Sequence, residues 1–211
     1  MLQLAFFEDM QREEPLVGEL SNGLRSVVGC LGASSFSAGD REENDFYATD
    51  PIAAEWLINL ENLDKNIWEC ACGQGHLAKV FEAHGYNVKA TDLVDRGYGQ
   101  GGIDFFLQNG IYNGDIVTNP PYKFAQEFVE HALELIPDGH KVCAFLKVQF
   151  LEGKERKQFF ENTPPCRVWV SSSRIQFGAS GDFSKANSMM ATAWYVWEKG
   201  YKGDTVLRWF N

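Results

Sequence analysis

The stretch D-I-V-T-N-P-P-Y-K-F, residues 115–124, decides how the rest of the chain is read. Ile116 and Val117 lie in a short apolar run of strand character. Pro120 and Pro121 cannot donate to a sheet ladder, so the strand stops there. Beyond them Phe124, Phe128, Ala132 and Leu135 recur close to helical spacing, which predicts a helix over residues 123–136. A strand that ends in a rigid turn and leads into a helix belongs to a parallel α/β unit. Such sheets bind ligands beyond the carboxyl ends of their strands.

The same alternation continues in both directions. D-P-I-A-A-E-W-L-I-N-L (50–60) offers Asp50 as an N-cap and Pro51 at the first helical position, with an apolar face through Ile52, Trp56 and Leu60. I-W-E-C-A-C (67–72) reads as a strand, H-L-A-K-V-F-E-A-H (76–84) as a helix closed by Gly85, and N-V-K-A-T-D-L-V (87–94) as a second strand. A glycine-rich loop and a short apolar stretch at 103–107, read as the third strand position, precede the strand at Asp115. After the long helix, K-V-C-A-F-L-K-V (141–148) is a strand, E-G-K-E-R-K-Q-F-F (152–160) a helix and R-V-W-V-S-S (167–172) a strand. A-T-A-W-Y-V-W (191–197) and T-V-L-R-W-F (205–210) suggest a hairpin at one sheet edge. The pattern predicts an α/β fold with a mainly parallel sheet. Residues 1–45, rich in Gly, Ser and charge towards their end, are expected to form a partly flexible N-terminal extension ahead of one domain over residues 46–211.

A chain of 211 residues with 45% hydrophobic content supports one sizeable core. No run of about 18 apolar residues is present, and the first residues lack the charged and apolar regions of a signal peptide, so a cytoplasmic protein is expected. The five cysteines are odd in number and lack paired metal-ligand spacing; reduced, mostly buried thiols and no metal are expected. The net charge of -10 is unlike a nucleic-acid binder, yet it is unevenly spread. Residues 1–66 hold 13 acids and 4 bases, whereas 140–211 hold 6 acids and 11 bases. Lys154, Arg156 and Lys157 in that last third either solvate a helix face or meet phosphates.

Gly73-Gln-Gly75-His-Leu-Ala78 follows the first strand and opens a helix, matching G-x-G-x-x-A, and Asp92 ends the next strand 19 residues later. Glycines let a ligand approach the backbone, and a carboxylate one strand over accepts from ribose hydroxyls, so an adenosine-containing ligand is expected. Glu69, just before the loop, would repel a pyrophosphate but suits the ammonium of a methionine tail, which favours S-adenosylmethionine over a nicotinamide dinucleotide. Asp104 offers an acceptor for the adenine amino group and Phe105 a ring for its face, with Phe106 assigned to the core.

Asn119-Pro120-Pro121-Tyr122 then acquires a chemical meaning. The lone pair of a nucleobase amine is delocalised into its ring, so the nitrogen is a poor nucleophile. Two acceptors placed on its N–H groups draw it towards tetrahedral geometry. The Asn119 side-chain oxygen and the Pro120 carbonyl suit that task, Pro120 fixes the turn, and Tyr122 offers a stacking face for an extruded base.

With these residues in view, the sequence resembles the amino-directed methyltransferases, and the N6-adenine DNA methyltransferases in particular. N-D-F-Y-A-T-D-P (44–51), D-L-V-D-R-G-Y-G (92–99), L-K-V-Q-F-L-E-G (146–153) and the terminal W-Y-V-W-E-K-G-Y-K-G-D-T-V-L-R-W-F are similar to small phage and prophage adenine methyltransferases. The resemblance covers about residues 44–211. It implies a Rossmann-like class I methyltransferase fold: a mainly parallel seven-stranded sheet, helices on both faces and an antiparallel edge hairpin. By it, Tyr47, Thr49 and Pro51 would border the cofactor; Glu69, Cys70, Gly73, Gly75, Asp92, Leu93, Asp104 and Phe105 would hold S-adenosylmethionine, with Asn119 touching it; and Asn119 to Tyr122 would hold the target adenine. It further implies DNA as partner, a phage or prophage origin, and action in the host cytoplasm. No large recognition domain fits after Tyr122, so short or weak sequence preference is expected, with R-I-Q-F-G-A-S-G-D-F-S-K-A-N-S (174–188), Arg174 included, as a contact to nucleic acid.

Other readings stay open at this stage. N-P-P-Y also occurs in methyltransferases acting on ribosomal RNA base amines and on protein glutamine. A catalytically inactive nucleic-acid-binding protein on the same scaffold is the alternative of another class.

Overall fold

A computed structural model describes residues 48–173, 177–178 and 191–211. Residues 1–45, Tyr47 and Arg174 lie outside the described residues, as does most of the 174–188 loop. The elements are β1 (Ala48–Thr49), α1 (Ile52–Leu60), β2 (Asn66–Glu69), α2 (Ala78–Ala83), β3 (Asn87–Ala90), β4 (Asp115–Thr118), α3 (Ala125–Leu135), β5 (Lys141–Lys147), α4 (Lys157–Asn162), β6 (Arg167–Ser171), β7 (Phe177–Gly178), β8 (Thr192–Glu198) and β9 (Val206–Phe210).

Seven strands form one sheet in the order β3-β2-β4-β5-β8-β6-β9, and β1 pairs with β7 in a separate two-stranded piece. β3, β2, β4 and β5 are mutually parallel. The chain runs from β2 outward to β3, then returns to β4 on the other side of β2. That reversal makes a topological switch point between β2 and β4, where open α/β sheets bind ligands.

β4 and β8 are buried on both faces, as continuous apolar runs in the middle of a covered sheet must be. Trp194, Tyr195, Val196 and Trp197 of β8 are each at most 1% exposed. Their polar atoms are satisfied: Trp194 Nε1 donates to the Ala53 carbonyl at 2.9 Å, Trp197 Nε1 to Thr163 at 3.0 Å, and the Tyr195 hydroxyl to Lys147 at 3.1 Å. Large aromatic rings can occupy the sheet centre because each polar tip reaches a backbone carbonyl.

Asp115, the first residue of the opening stretch, is a structural clamp. Its carboxylate accepts from the Asp64 N–H at 2.7 Å and the Lys141 N–H at 2.8 Å, tying the lead-in to β2 and the start of β5 to β4. At that same amino-terminal end Glu61 is 7% exposed and accepts from Arg167, from Trp169 Nε1 at 2.8 Å and from Lys141 Nζ at 3.1 Å. Burial acts to raise its pKa, but these hydrogen bonds outweigh burial and hold it below the ordinary carboxylate value. A folded pKa below the unfolded one adds stability that is fully present above about pH 4.5 and is lost as pH falls through the folded value. The expected result is that the urea midpoint falls on acidification through that window. In Glu61→Gln, whose neutral amide has no such proton to take up, this part of the acid slope is absent.

Three expectations need correction. Along α1 the face turned inward is Ala53, Ala54 and Leu57, whereas Ile52 is 40% exposed and Trp56 lies partly buried against Phe210. The small alanines let the helix approach the sheet closely enough for the Trp194 bond. The segments 191–197 and 205–210 do not pair with each other: β8 runs antiparallel between β5 and β6, and β9 takes the edge beyond β6 and runs parallel to it. Residues 103–107 supply no strand: Phe105–Leu107 form a short 3-10 turn beside β2. Cys70, Cys72, Cys143 and Cys166 are free and buried. No helix among the described residues is long and apolar enough to cross a membrane.

Candidate active site

The carboxyl ends of the four parallel strands carry the residues singled out in the sequence. Glu69 closes β2, Asp92 follows β3 by two residues, Asn119 follows β4 directly, and Lys147 closes β5. Adjacent strands lie about 4.8 Å apart, so the glycine loop after β2 and the N-P-P-Y turn after β4 flank the same switch point.

Gly73 and Gly75 adopt φ of 55° and 78°, a region that favours glycine. Asp92 shapes this loop: its Oδ2 accepts from the Gly73 N–H at 2.8 Å and its Oδ1 from the Val94 N–H at 2.9 Å. Leu93, the next residue, is 42% exposed, an apolar surface of the kind that can lie against a flat ring. Tyr98 packs onto the loop so closely that a Cβ on Gly75 would meet its ring at 2.3 Å. Sequence reasoning missed this packing, although an aromatic residue flanked by glycines in R-G-Y-G was its signal.

Glu69 is 2% exposed. Burial pushes its carboxyl well above the usual range, and the neighbouring Asp92 and Glu82 push it further, against one hydrogen bond from the Ala78 N–H. Its Oε2 has no hydrogen-bond partner in the protein. A buried carboxylate oxygen without a donor, beside a glycine loop, is a place for a cation. Cys70 sits in the core with its thiol pKa raised, and Cys72 is pushed up to about 12, both chiefly by burial, so neither is a thiolate nucleophile.

Asp104 Oδ1 accepts from the Phe106 N–H at 3.0 Å and caps the 3-10 turn. Phe105, expected to offer its ring to the adenine face, is instead in the core. Phe105 is 3% exposed, stacked on Phe128 at 5.0 Å and edge-on to Trp68, so its ring belongs to the core. Phe106 is only partly buried.

At the N-P-P-Y turn, Pro120 is buried, Pro121 accepts from the Phe124 N–H at 2.9 Å, and a 3-10 turn at Tyr122–Phe124 feeds α3. Asn119 Nδ2 donates to Thr49 Oγ1 at 2.6 Å, while Asn119 Oδ1 is buried and has no hydrogen-bond partner in the protein. The Lys147 ammonium lies 4.7 Å from the centre of the Tyr122 ring, a cation–π contact on one of its faces. This lysine was also missed; a charged residue closing the next strand was the signal. Pro51 stands at the start of α1, two residues beyond Thr49.

Of the residues expected to meet phosphates, Lys154 and Lys157 are exposed, the latter 3.5 Å from Glu161. Arg156 is otherwise engaged. Its guanidinium donates to the carbonyls of Phe150 at 2.9 Å and Glu152 at 3.0 Å and covers the Phe150 ring, closing the loop at Gly153. If nucleic acid is bound through this face, reversing Lys154 and Lys157 together weakens that binding and flattens its salt dependence by about one unit of log–log slope for each phosphate no longer neutralised. Arg156→Ala is expected instead to lower stability by about 1–2 kcal/mol in thermal unfolding while leaving that slope unchanged.

Among solved structures, PH1948 from Pyrococcus horikoshii, a candidate RNA methyltransferase, matches with a TM-score of 0.56 at 14% identity, over 83% of this chain and 98% of that one. The Thermoplasma acidophilum protein 1320 matches at 0.50 and 16% identity, over 73% and 89% of the two chains. A candidate hemolysin from Lactococcus lactis matches at 0.50 and 11% identity, over 75% and 91%. No protein-family model and no curated protein matches the sequence. At these identities the likeness is one of architecture: the chain has the Rossmann-like class I methyltransferase fold.

Proposed function

We propose that the protein is an S-adenosylmethionine-dependent methyltransferase acting on an exocyclic base amine, N6 of adenine in DNA. The observation that carries this reading is the state of Asn119: one end of its carboxamide is held by Thr49 and the other presents a buried, unpaired oxygen at the switch point. A buried acceptor with no donor in the protein is costly unless a ligand supplies one, and an amine N–H does so.

The residues present fit the cofactor. The orphaned Glu69 oxygen matches an ammonium group, the glycine loop permits close approach, and Asp92 and Leu93 border the place for a ribose and a base. When bound, S-adenosylmethionine supplies a methyl group on a positively charged sulfur. Asn119 Oδ1 and the Pro120 carbonyl would take the two N–H groups of the amine and localise the nitrogen lone pair for attack. Tyr122, whose ring lies 4.7 Å from the Lys147 ammonium, is the aromatic residue of the turn that would stack on the extruded base.

DNA is preferred over RNA or protein because the flanking segments resemble phage adenine methyltransferases and the positive charge is concentrated after residue 140. Transfer of label from tritiated S-adenosylmethionine, compared across DNA, RNA and protein acceptors, tests the reading. Label in protein or RNA alone would reject the DNA assignment.

A further inference from the structure

Thr49 does something that bordering a cofactor does not require. It is 4% exposed and sits on the two-residue strand β1, which pairs antiparallel with β7 through Ala48 with Gly178 and Thr49 with Phe177. Its backbone is thus held by pairing with Phe177 and Gly178. Its β-branched side chain has little χ1 freedom. The hydroxyl oxygen accepts from Asn119 Nδ2 at 2.6 Å across 70 residues of sequence.

A carboxamide presents a donor at one end and an acceptor at the other, in nearly the same shape. Rotated by half a turn, Asn119 would aim two N–H donors at an amine that itself offers donors. The proline turn fixes the Asn119 backbone but does not choose between these orientations. The Thr49 hydroxyl, able to accept or to donate, accepts here from Nδ2 and holds the carboxamide in place, so that Oδ1 is the end left without a partner and an incoming amine N–H favours that same arrangement.

We propose that Thr49 is a positioning residue for methyl transfer: its hydroxyl anchors the Asn119 carboxamide so that Oδ1 meets the acceptor amine. The proposal rests on the amine-clamp reading above. It predicts a defect in turnover rather than in cofactor binding, because the group that Thr49 holds faces the acceptor.

The test uses Thr49→Val, which keeps the shape and removes the hydroxyl, with Thr49→Ser, which keeps the hydroxyl. Thr49→Val is expected to lower kcat about ten- to a hundredfold, the cost of a misoriented catalytic group, with S-adenosylmethionine affinity within about twofold of wild type. Thr49→Ser is expected to recover most of kcat. Wild-type kcat in Thr49→Val, or a loss carried entirely by cofactor affinity, would overturn the proposal. Should the wild type methylate no acceptor, the functional reading fails on its own, and the anchor is tested by NMR of the Asn119 side-chain amide. Two well-dispersed proton signals are expected in the wild type and Thr49→Ser, collapsing to solvent-like values in Thr49→Val. Unchanged signals in Thr49→Val would reject the anchor; if that variant does not fold, Thr49→Ala takes its place in both measurements with the same expectations.

Discussion

Replacing Asn119 with alanine is expected to lower kcat for methyl transfer about 10²–10³-fold while leaving S-adenosylmethionine affinity within about threefold of wild type. The magnitude is that of removing one preorganised hydrogen-bonding group aimed at a reacting centre. In the intact protein Oδ1 is already buried, oriented and unpaired, so the amine meets an acceptor that needs no reorganisation. Alanine removes the acceptor and leaves the Pro120 carbonyl alone on the second N–H. On the function proposed above, the cofactor would be held mainly by the loop after β2 and the end of β3, whose hydrogen bonds do not involve the Asn119 side chain. Single-turnover rates alongside calorimetric cofactor titration separate the two quantities. An alanine variant turning over at the wild-type rate would remove the amine clamp from the account.

Glu69→Gln is expected to weaken S-adenosylmethionine binding by about one to three orders of magnitude, the usual effect of removing one partner from a desolvated charge pair. The pH dependence distinguishes this cause from simple loss of packing. In the free protein burial raises the Glu69 pKa, so the neutral carboxyl persists above the ordinary carboxylate range. A cation binds the ionised form, draws the pKa down and releases a proton. Affinity in the wild type therefore rises as pH climbs from the ordinary carboxylate range towards neutrality. The Glu69→Gln profile is flat over that span. A wild-type profile without this rise would place the ammonium elsewhere.

Much of this architecture was legible in the sequence because its signals are local. Pro120 and Pro121 had to end a strand, Gly73 and Gly75 had to make a tight loop, and the apolar spacing of α3 was unambiguous; all three lie where they were expected. Features decided by distant partners were not legible. Whether β8 pairs with β6 or β9 depends on packing between segments that no local period encodes. Phe105 and Phe106 are identical neighbours on a turn with no strand or helix period. Both rings meet Phe128, and it is the further contact of Phe105 with Trp68 of β2 that sets it on the inner side.

The site shows the same division. Asn119, Glu69 and Asp92 could be named from motif and strand order, but their hydrogen-bond states could not. The Thr49–Asn119 bond spans 70 residues, and the orphaned oxygen of Glu69 follows from burial. Arg156 had the composition of a phosphate ligand, yet the left-handed turn at Gly153, with φ of 126°, brings two backbone carbonyls within its reach first. For a long cationic side chain, the backbone it can reach decides its role, and that is a property of the fold.

The central claim is the identity of the methylated atom. Incubating the purified protein with tritiated S-adenosylmethionine and DNA, digesting the DNA to nucleosides and separating them by chromatography tests it most directly. Radioactivity is expected to co-migrate with N6-methyladenosine in its deoxy form and to be absent in Asn119→Ala. Label on another base, or none in DNA while protein or RNA acceptors are labelled, would contradict it.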